Sequence, residues 1–333
     1  MKLKNIFGIL NLNLFIVACI IVGLSFGLVG LLEYCANYQG PLKQPKILII
    51  KKGSGVQKIS THLEEEGVIQ NAFLFRLWSF YSGLDKKLLA GEFKFQPNSS
   101  INKVALVISS GLTVKRRLTI AEGLTGNQIK NIIFSAPGLI GEVPNAFWRE
   151  GTLLPETYFY SYGNTRLSIV NRMRENLDQE LKKAWLTRPE NSPLKSSAEA
   201  MVLASIIEKE TAINTERSII SGVFHNRLRS GMRLQSDPTV VYSITMGRRL
   251  LKRALLKKDL NFDSPFNTYV HKGLPPNPIC NPGVASIKAA IMPARTPYFY
   301  FVADGLGGHA FASTLKEHIR NVVNWRKKKR RAN

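Results

Sequence analysis

From residue 6 to residue 32 the chain carries no charged side chain. The centre of that stretch, residues 14–32, reads LFIVACIIVGLSFGLVGLL, with Ser25 its one polar side chain. Wound as an α-helix it extends about 28 Å, close to the roughly 30 Å of a hydrocarbon layer. A cleavable signal peptide has a shorter apolar region, about 7–15 residues, and then a small-x-small site. Here Glu33-Tyr-Cys-Ala-Asn-Tyr38 follows, without that pattern. No small residue precedes Cys35, which argues against a lipoprotein anchor. The sequence therefore predicts an uncleaved, single-pass anchor. Lys2 and Lys4 precede it and Glu33 follows it, so the positive-inside bias puts the N-terminus in the cytoplasm. No later stretch is long and apolar enough to span again. The expected location is the cytoplasmic (inner) membrane, with everything after the anchor in the periplasm or other extracytoplasmic space.

That placement decides how the charge is read. Lys and Arg number 46 against 23 Asp and Glu, a formal +23. Such a balance calls for anionic neighbours: nucleic acid, anionic lipid or an acidic polymer. Outside the cytoplasm nucleic acid drops out, leaving the membrane surface or a wall polymer. The closing run Arg326-Lys-Lys-Lys-Arg-Arg331 reads as a solvated electrostatic tail towards the same partners. An apolar share of 44% in 333 residues supports a sizeable core and two or three domains. Three cysteines exclude a disulfide scaffold. Cys19 lies in the apolar span, and whether Cys35 and Cys280 pair is left open by the sequence.

After the anchor a strand–turn–helix pattern recurs. Residues 47–50 (ILII) lead through Lys51-Lys-Gly-Ser-Gly55 to helical spacing over 56–63. Residues 117–120 (RLTI) lead through a turn and the N-cap Thr125 to helical spacing over 128–133. Aligned on each other, the two share Leu48/Leu118, Ile50/Ile120, Gly53/Gly123 and Ile59/Ile129. A looser copy starts at Phe93-Lys-Phe95, and a Phe- and Leu-rich helix is expected over 71–83. These units resemble LysM modules, which bind glycans containing N-acetylglucosamine. A plain α+β spacer accounts for the same pattern.

There is no phosphate loop, no GxSxG elbow, no HExxH and no histidine cluster at ligand spacing, so neither metal nor cofactor is expected. Ser192-Pro-Leu-Lys195 matches an S-x-x-K motif, but Pro193 stands where that motif needs a helix, and the segment reads as a loop. The informative helix is 197–211, SAEAMVLASIIEKET, apolar from Ala200 to Ile207 except for Ser205. At about 100° per residue, Glu210 continues the Ala200–Leu203–Ile207 stripe, Glu208 lies at the stripe's edge and Lys209 lies opposite. An inward carboxyl loses hydration and its pKa rises, as a general acid near neutral pH requires. A salt bridge from Glu210 to Arg217 or Arg227 explains the same placement without catalysis. Downstream, loops rigidified by four prolines between Pro275 and Pro282 carry Asn, Tyr and Gly, groups suited to a carbohydrate cleft.

The runs ASIIEKET (204–211), FHNRLRSGMRLQSDPTVVY (224–242), NTYVHKGLPPNPICNPG (267–283) and YFVADGLGGHAF (300–311), with GTLLPETYFY (151–160) upstream, closely resemble the YceG-like endolytic murein transglycosylases (the MltG family). The resemblance extends over nearly the whole chain. It implies an α+β protein: cytoplasmic N-terminus and start of the anchor 1–13, transmembrane helix 14–32, linker 33–46, LysM-like module 47–116, second unit or connector 117–150, catalytic domain 151–325 and basic tail 326–333. It implies cleavage inside peptidoglycan glycan strands, between N-acetylmuramic acid and N-acetylglucosamine, leaving 1,6-anhydro ends, and it implies peptidoglycan synthases as partners. The family's catalytic glutamate falls on Glu210. Asn226, Gln235 and Tyr269 are expected to line the cleft, with Asp237 and Glu156 in binding or polarising roles. Phe266 stands where relatives often carry Tyr. Two alternatives stay open: a non-catalytic wall-binding membrane protein, and a water-using muramidase needing a second carboxylate such as Asp237 or Glu156.

Overall fold

A computed structural model describes the backbone of residues 2–332 and the side chains of residues 14–330. Lys2 and Lys4, on which the orientation of the anchor was read, and Arg331 of the basic run have side chains outside the described residues. The chain divides into two units, residues 1–116 with 161–163, and residues 117–160 with 164–333.

In the first unit, α1 (Lys2–Asn37) contains a 24-residue stretch, Leu14–Asn37, long and apolar enough to cross a membrane. The helix does not stop at Leu32. It continues through residues assigned to a linker, and Ala36 is fully enclosed in the unit's core. The rest comprises β1 (Lys46–Ile50), α2 (Val56–Glu65), α3 (Ala72–Tyr81), β2 (Gly91–Phe95) and α4 (Ile101–Ser110). β1 and β2 pair antiparallel, with Leu48 opposite Phe93. Their inward residues Leu48, Ile50, Phe93 and Phe95 pack against Ile59, Leu63, Phe75 and Ile108 of the helices. Asn71 and Ser100 cap α3 and α4 by accepting from Leu74 N and Lys103 N, and Gly111 ends α4 in the left-handed conformation that glycine adopts without strain.

The three strand–turn–helix repeats read in the sequence divide between the two units. A lone short strand with one helix leaves its hydrogen-bonding edges open and too little apolar surface covered. The first and third strands therefore find other partners. β1 takes the strand of the looser copy, β2, whereas β3 (Arg116–Thr119) pairs with β4 (Thr157–Tyr160). The repeat that starts at β3, with its helix α5 (Gly126–Ser135), so packs into the larger unit.

The larger unit is built around α7 (Ser197–Glu210), which packs against α6 (Arg166–Leu186), α8 (Asn214–Arg229), α9 (Asp237–Thr245) and α10 (Val284–Ile291). Every residue of α7 from Ala200 to Ile207 is buried, as an apolar helix surrounded by others must be. Ser205 is accommodated because its hydroxyl donates to Val202 O and accepts from Ile279 N at 3.0 Å. Cys280 lies in the same enclosure, its thiol donating to Ser205 O, and it and Cys35 are both free. Ser192-Pro-Leu-Lys195 is a loop. The hairpin β5 (Tyr300–Ala303) and β6 (His309–Ala312) follows, turned by Asp304, whose Oδ1 accepts from Leu306 N and Gly308 N.

The basic run is not a separate tail. It forms the last turns of α11 (Leu315–Ala332), where Lys328 donates to Asp304 O at 2.9 Å and Lys329 lies 5.3 Å from the Trp325 ring. Long cationic side chains pack their stems along a helix while their heads stay in water, so six adjacent cations do not preclude a helix.

Candidate active site

Glu210 is the last residue of α7 and is partly exposed at the floor of a cleft of about 360 Å³. Gln235, Asp237 and Tyr269 line the same cleft, so the structure brings three of the five expected binding residues to the expected acid. The geometry around Glu210 is fixed by a segment far along the chain. Ser236, the residue before α9, donates its hydroxyl to Glu210 Oε1 at 2.5 Å. Ser236 is itself held: its backbone N donates to Thr268 Oγ1 at 3.0 Å, and Thr268 Oγ1 also meets Thr239 Oγ1. Gln235 N donates to Thr268 O at 3.1 Å. These bonds hold Gln235 at a positive φ of 48°, uncommon for a residue with a side chain and of the kind found at functional sites.

Burial pushes the Glu210 carboxyl up to about 7. The Ser236 hydroxyl opposes that rise, the negative Asp237 adds to it, and the Arg227 guanidinium opposes it. Arg227 makes no ion pair with Glu210 among the described residues. Its Nε donates to Phe299 O at 2.6 Å, its Nη1 donates to Leu234 O at 2.7 Å, and it lies over the Tyr300 ring. The salt-bridge explanation belongs instead to Glu208. That side chain, only 7% exposed, accepts from Gly283 N at 3.0 Å and lies 3.7 Å from Arg217 Nη2. Glu208 therefore ties α7 to α8 and to the start of α10, and it is more enclosed than its place at the edge of the helical stripe suggested.

Tyr269 OH donates to Asp237 Oδ1 at 2.6 Å. Burial and this acceptor both push the phenol's pKa up, so it remains a donor at neutral pH. On the far wall, His309 meets Glu216 at 2.7 Å, and His318 stacks on Tyr300 with ring centroids 5.2 Å apart. Trp325 and Val322 of α11 complete that wall.

Two expected residues lie elsewhere. Asn226 spends both amide hydrogens on Thr296 O and Tyr298 O, fastening the approach to β5 against α8. Close packing there is also visible at Gly222, where a Cβ would sit 2.5 Å from Ala294 O. Glu156 is exposed just before β4, where its carbonyl accepts from Ile120 N. Phe266 is buried against Tyr242, 4.9 Å between centroids, away from the cleft.

Sequence reading missed Ser236 and Trp325, and took Arg227 only as a salt-bridge partner of Glu210. Ser236 stood inside a recognised run but had no signal apart from its neighbours. Trp325 had one: Leu315, Ile319, Val322 and Trp325 recur at helical spacing, a pattern hidden by the cations that follow.

A model of the YceG-like family matches residues 48–324. The chain is 31% identical to an endolytic murein transglycosylase of Bacillus subtilis, covering 81% of each. It is 30% identical to one of Streptococcus pneumoniae over 82% of this chain, but spans only 57% of that longer protein. A crystal structure of a yceG-like protein from Listeria monocytogenes superposes with a TM-score of 0.52 at 32% identity, covering 84% of this chain and 99% of the other. A family match running from the first strand to Trp325's own helix, together with these relatives, means that the chain belongs to the YceG-like family.

Proposed function

We propose that this protein is a lytic transglycosylase that cuts inside peptidoglycan glycan strands. The single observation that carries the reading is Glu210, a carboxyl raised to about 7 on the floor of an open cleft and oriented by Ser236. The names of its relatives support the same activity. Glu210, protonated, gives its proton to the glycosidic oxygen leaving C1 of N-acetylmuramic acid. As carboxylate it then takes the proton of that sugar's C6 hydroxyl. The C6 oxygen closes on C1 while the bond to N-acetylglucosamine breaks. The product is a 1,6-anhydro end, no water is consumed, and Glu210 ends protonated again. One carboxyl near neutral pKa serves both steps, because the ideal acid–base group has its pKa near the working pH. Gln235 offers donors to sugar hydroxyls, Tyr269, its proton given to Asp237, offers an acceptor, and Trp325 offers a face for a sugar ring to pack on.

A second reading is favoured by one observation. Asp237 shares the cleft and raises the Glu210 pKa, as a base activating water in a muramidase would. Mass spectrometry of digested peptidoglycan separates the two: anhydro ends support the first, and reducing ends refute it.

The rest of the reading concerns position. α1 serves as a single-pass anchor with its N-terminus in the cytoplasm, supported by its length and by lysines before and Glu33 after the apolar stretch. A reporter active only outside the cytoplasm, fused after the last residue, should be active. The two-stranded first unit acts as a LysM-like glycan-binding module, and glycan synthases working on the same strands are the expected partners. Soluble N-acetylglucosamine oligomers should then bind the full chain with Glu210→Gln in place.

A further inference from the structure

A second cavity, of about 270 Å³, opens beside the cleft in the larger unit. The two are separated by single residue steps. Glu210 and Asp237 line the cleft, whereas Lys209 and Pro238 line the cavity. Its floor is apolar, formed by Val241, Leu251 and Ile279. Its rim carries Lys209, Arg248 and Arg249, and the one carboxylate near it among the described residues, Glu150, stands behind Gly247 and is bonded to Tyr242. On the remaining wall stand Asn127 and Asn131, one turn apart on α5, whose amides make no hydrogen bond among the described residues. Gln128 between them is already committed to the capping box with Thr125.

These features define a ligand. Paired side-chain amides match the donor–acceptor pattern of a peptide backbone. A rim with three cations favours carboxylates, and the apolar floor takes small side chains. The cavity lies one residue step from the cleft, where a branch of a sugar held there would reach. A muramic acid held at Glu210 carries such a branch on its C3 lactyl group: a short peptide, alanine-containing and anionic, which must leave the cleft beside the reacting sugar. We propose that this cavity binds the peptide stem of the sugar being cleaved, so that the protein prefers peptide-bearing strands. This rests on the peptidoglycan reading of the cleft.

The test uses the full chain on two substrates, intact strands and strands stripped of stems by an amidase. Wild type should show kcat/KM about tenfold higher on intact strands. Arg248→Ala/Arg249→Ala and Asn127→Leu/Asn131→Leu should each lose that preference while keeping the stripped-strand value. Equal wild-type values on both substrates, or variants that lower both alike, overturn the proposal. A second arm separates it from the cleft reading: calorimetric titration with a free L-Ala-D-Glu-diamino acid tripeptide. If neither strand is cut, the cleft reading fails and this arm alone decides. Saturable binding abolished in the arginine variant upholds the peptide site, and no binding at millimolar peptide overturns it.

Discussion

Glu210→Gln keeps the shape of the side chain and still offers an oxygen to Ser236, but it removes the titrating proton. A carboxyl raised from 4.5 to about 7 by burial means that its ionised form costs the native state about 3 kcal/mol. The sign follows from proton binding. Between the two values the native state holds a proton that the unfolded chain has lost, so stability falls as pH rises through that window. Below about pH 4 the cost is nearly absent, and above about pH 7 it is present in full. The variant should therefore melt with wild type at pH 4 and above it at pH 8. At about 2–4 °C per kcal/mol for a domain of this size, the gap at pH 8 is about 6–12 °C. Intrinsic tryptophan fluorescence of the full-length protein, followed through thermal unfolding at several pH values, measures it. Turnover should vanish at every pH, and wild-type kcat/KM should decline above pH 7 as the acid ionises. A variant that melts several degrees below wild type at pH 8, or a gap that does not change with pH, would refute the desolvated-acid argument and make Glu210 a structural residue.

Glu208→Gln should lower stability by about 3 kcal/mol, because Arg217 is left buried with a weakened partner, while activity at permissive temperature survives; urea unfolding beside a turnover assay checks both. Ser236→Ala removes a donor that lowers the Glu210 pKa, so the alkaline limb of the pH–rate profile should move up and kcat should fall. An unmoved limb would show that the hydroxyl does not steer the acid. Trp325→Ala should raise KM on glycan strands about tenfold with kcat little changed, an effect of about 1.4 kcal/mol measured by steady-state kinetics.

Much of the local structure was legible because it depends on local spacing. The buried stripe of α7, the cap Thr125 and the helix over Ala72–Tyr81 follow from the local pattern of residue types. The same geometry points Glu210 inward, and in the structure it lines the cleft, partly exposed. That geometry failed for Glu208, since a helical wheel fixes an angle but not what stands opposite, and Arg217 and Gly283 N stand opposite here. It failed again at residues 326–331, where counting charge hid a helix whose apolar face continues from Ile319 to Trp325.

The sequence by itself determined the apolar α1 segment, the alternation of strands and helices, the glutamate at the end of a buried helix and the ordered runs that resemble one family. Periodicity and composition are read within a turn or two of chain, so no partner is needed to infer them. Only the tertiary structure decided which polar residues meet that glutamate. Ser236 and Tyr269 arrive from loops tied together through Thr268, and Trp325 arrives from the last helix, while Asn226, equally polar and nearer in sequence, is consumed by two backbone carbonyls. A side chain's hydrogen-bonding capacity is finite, and long-range packing determines whether it is spent on the fold or left facing the cleft.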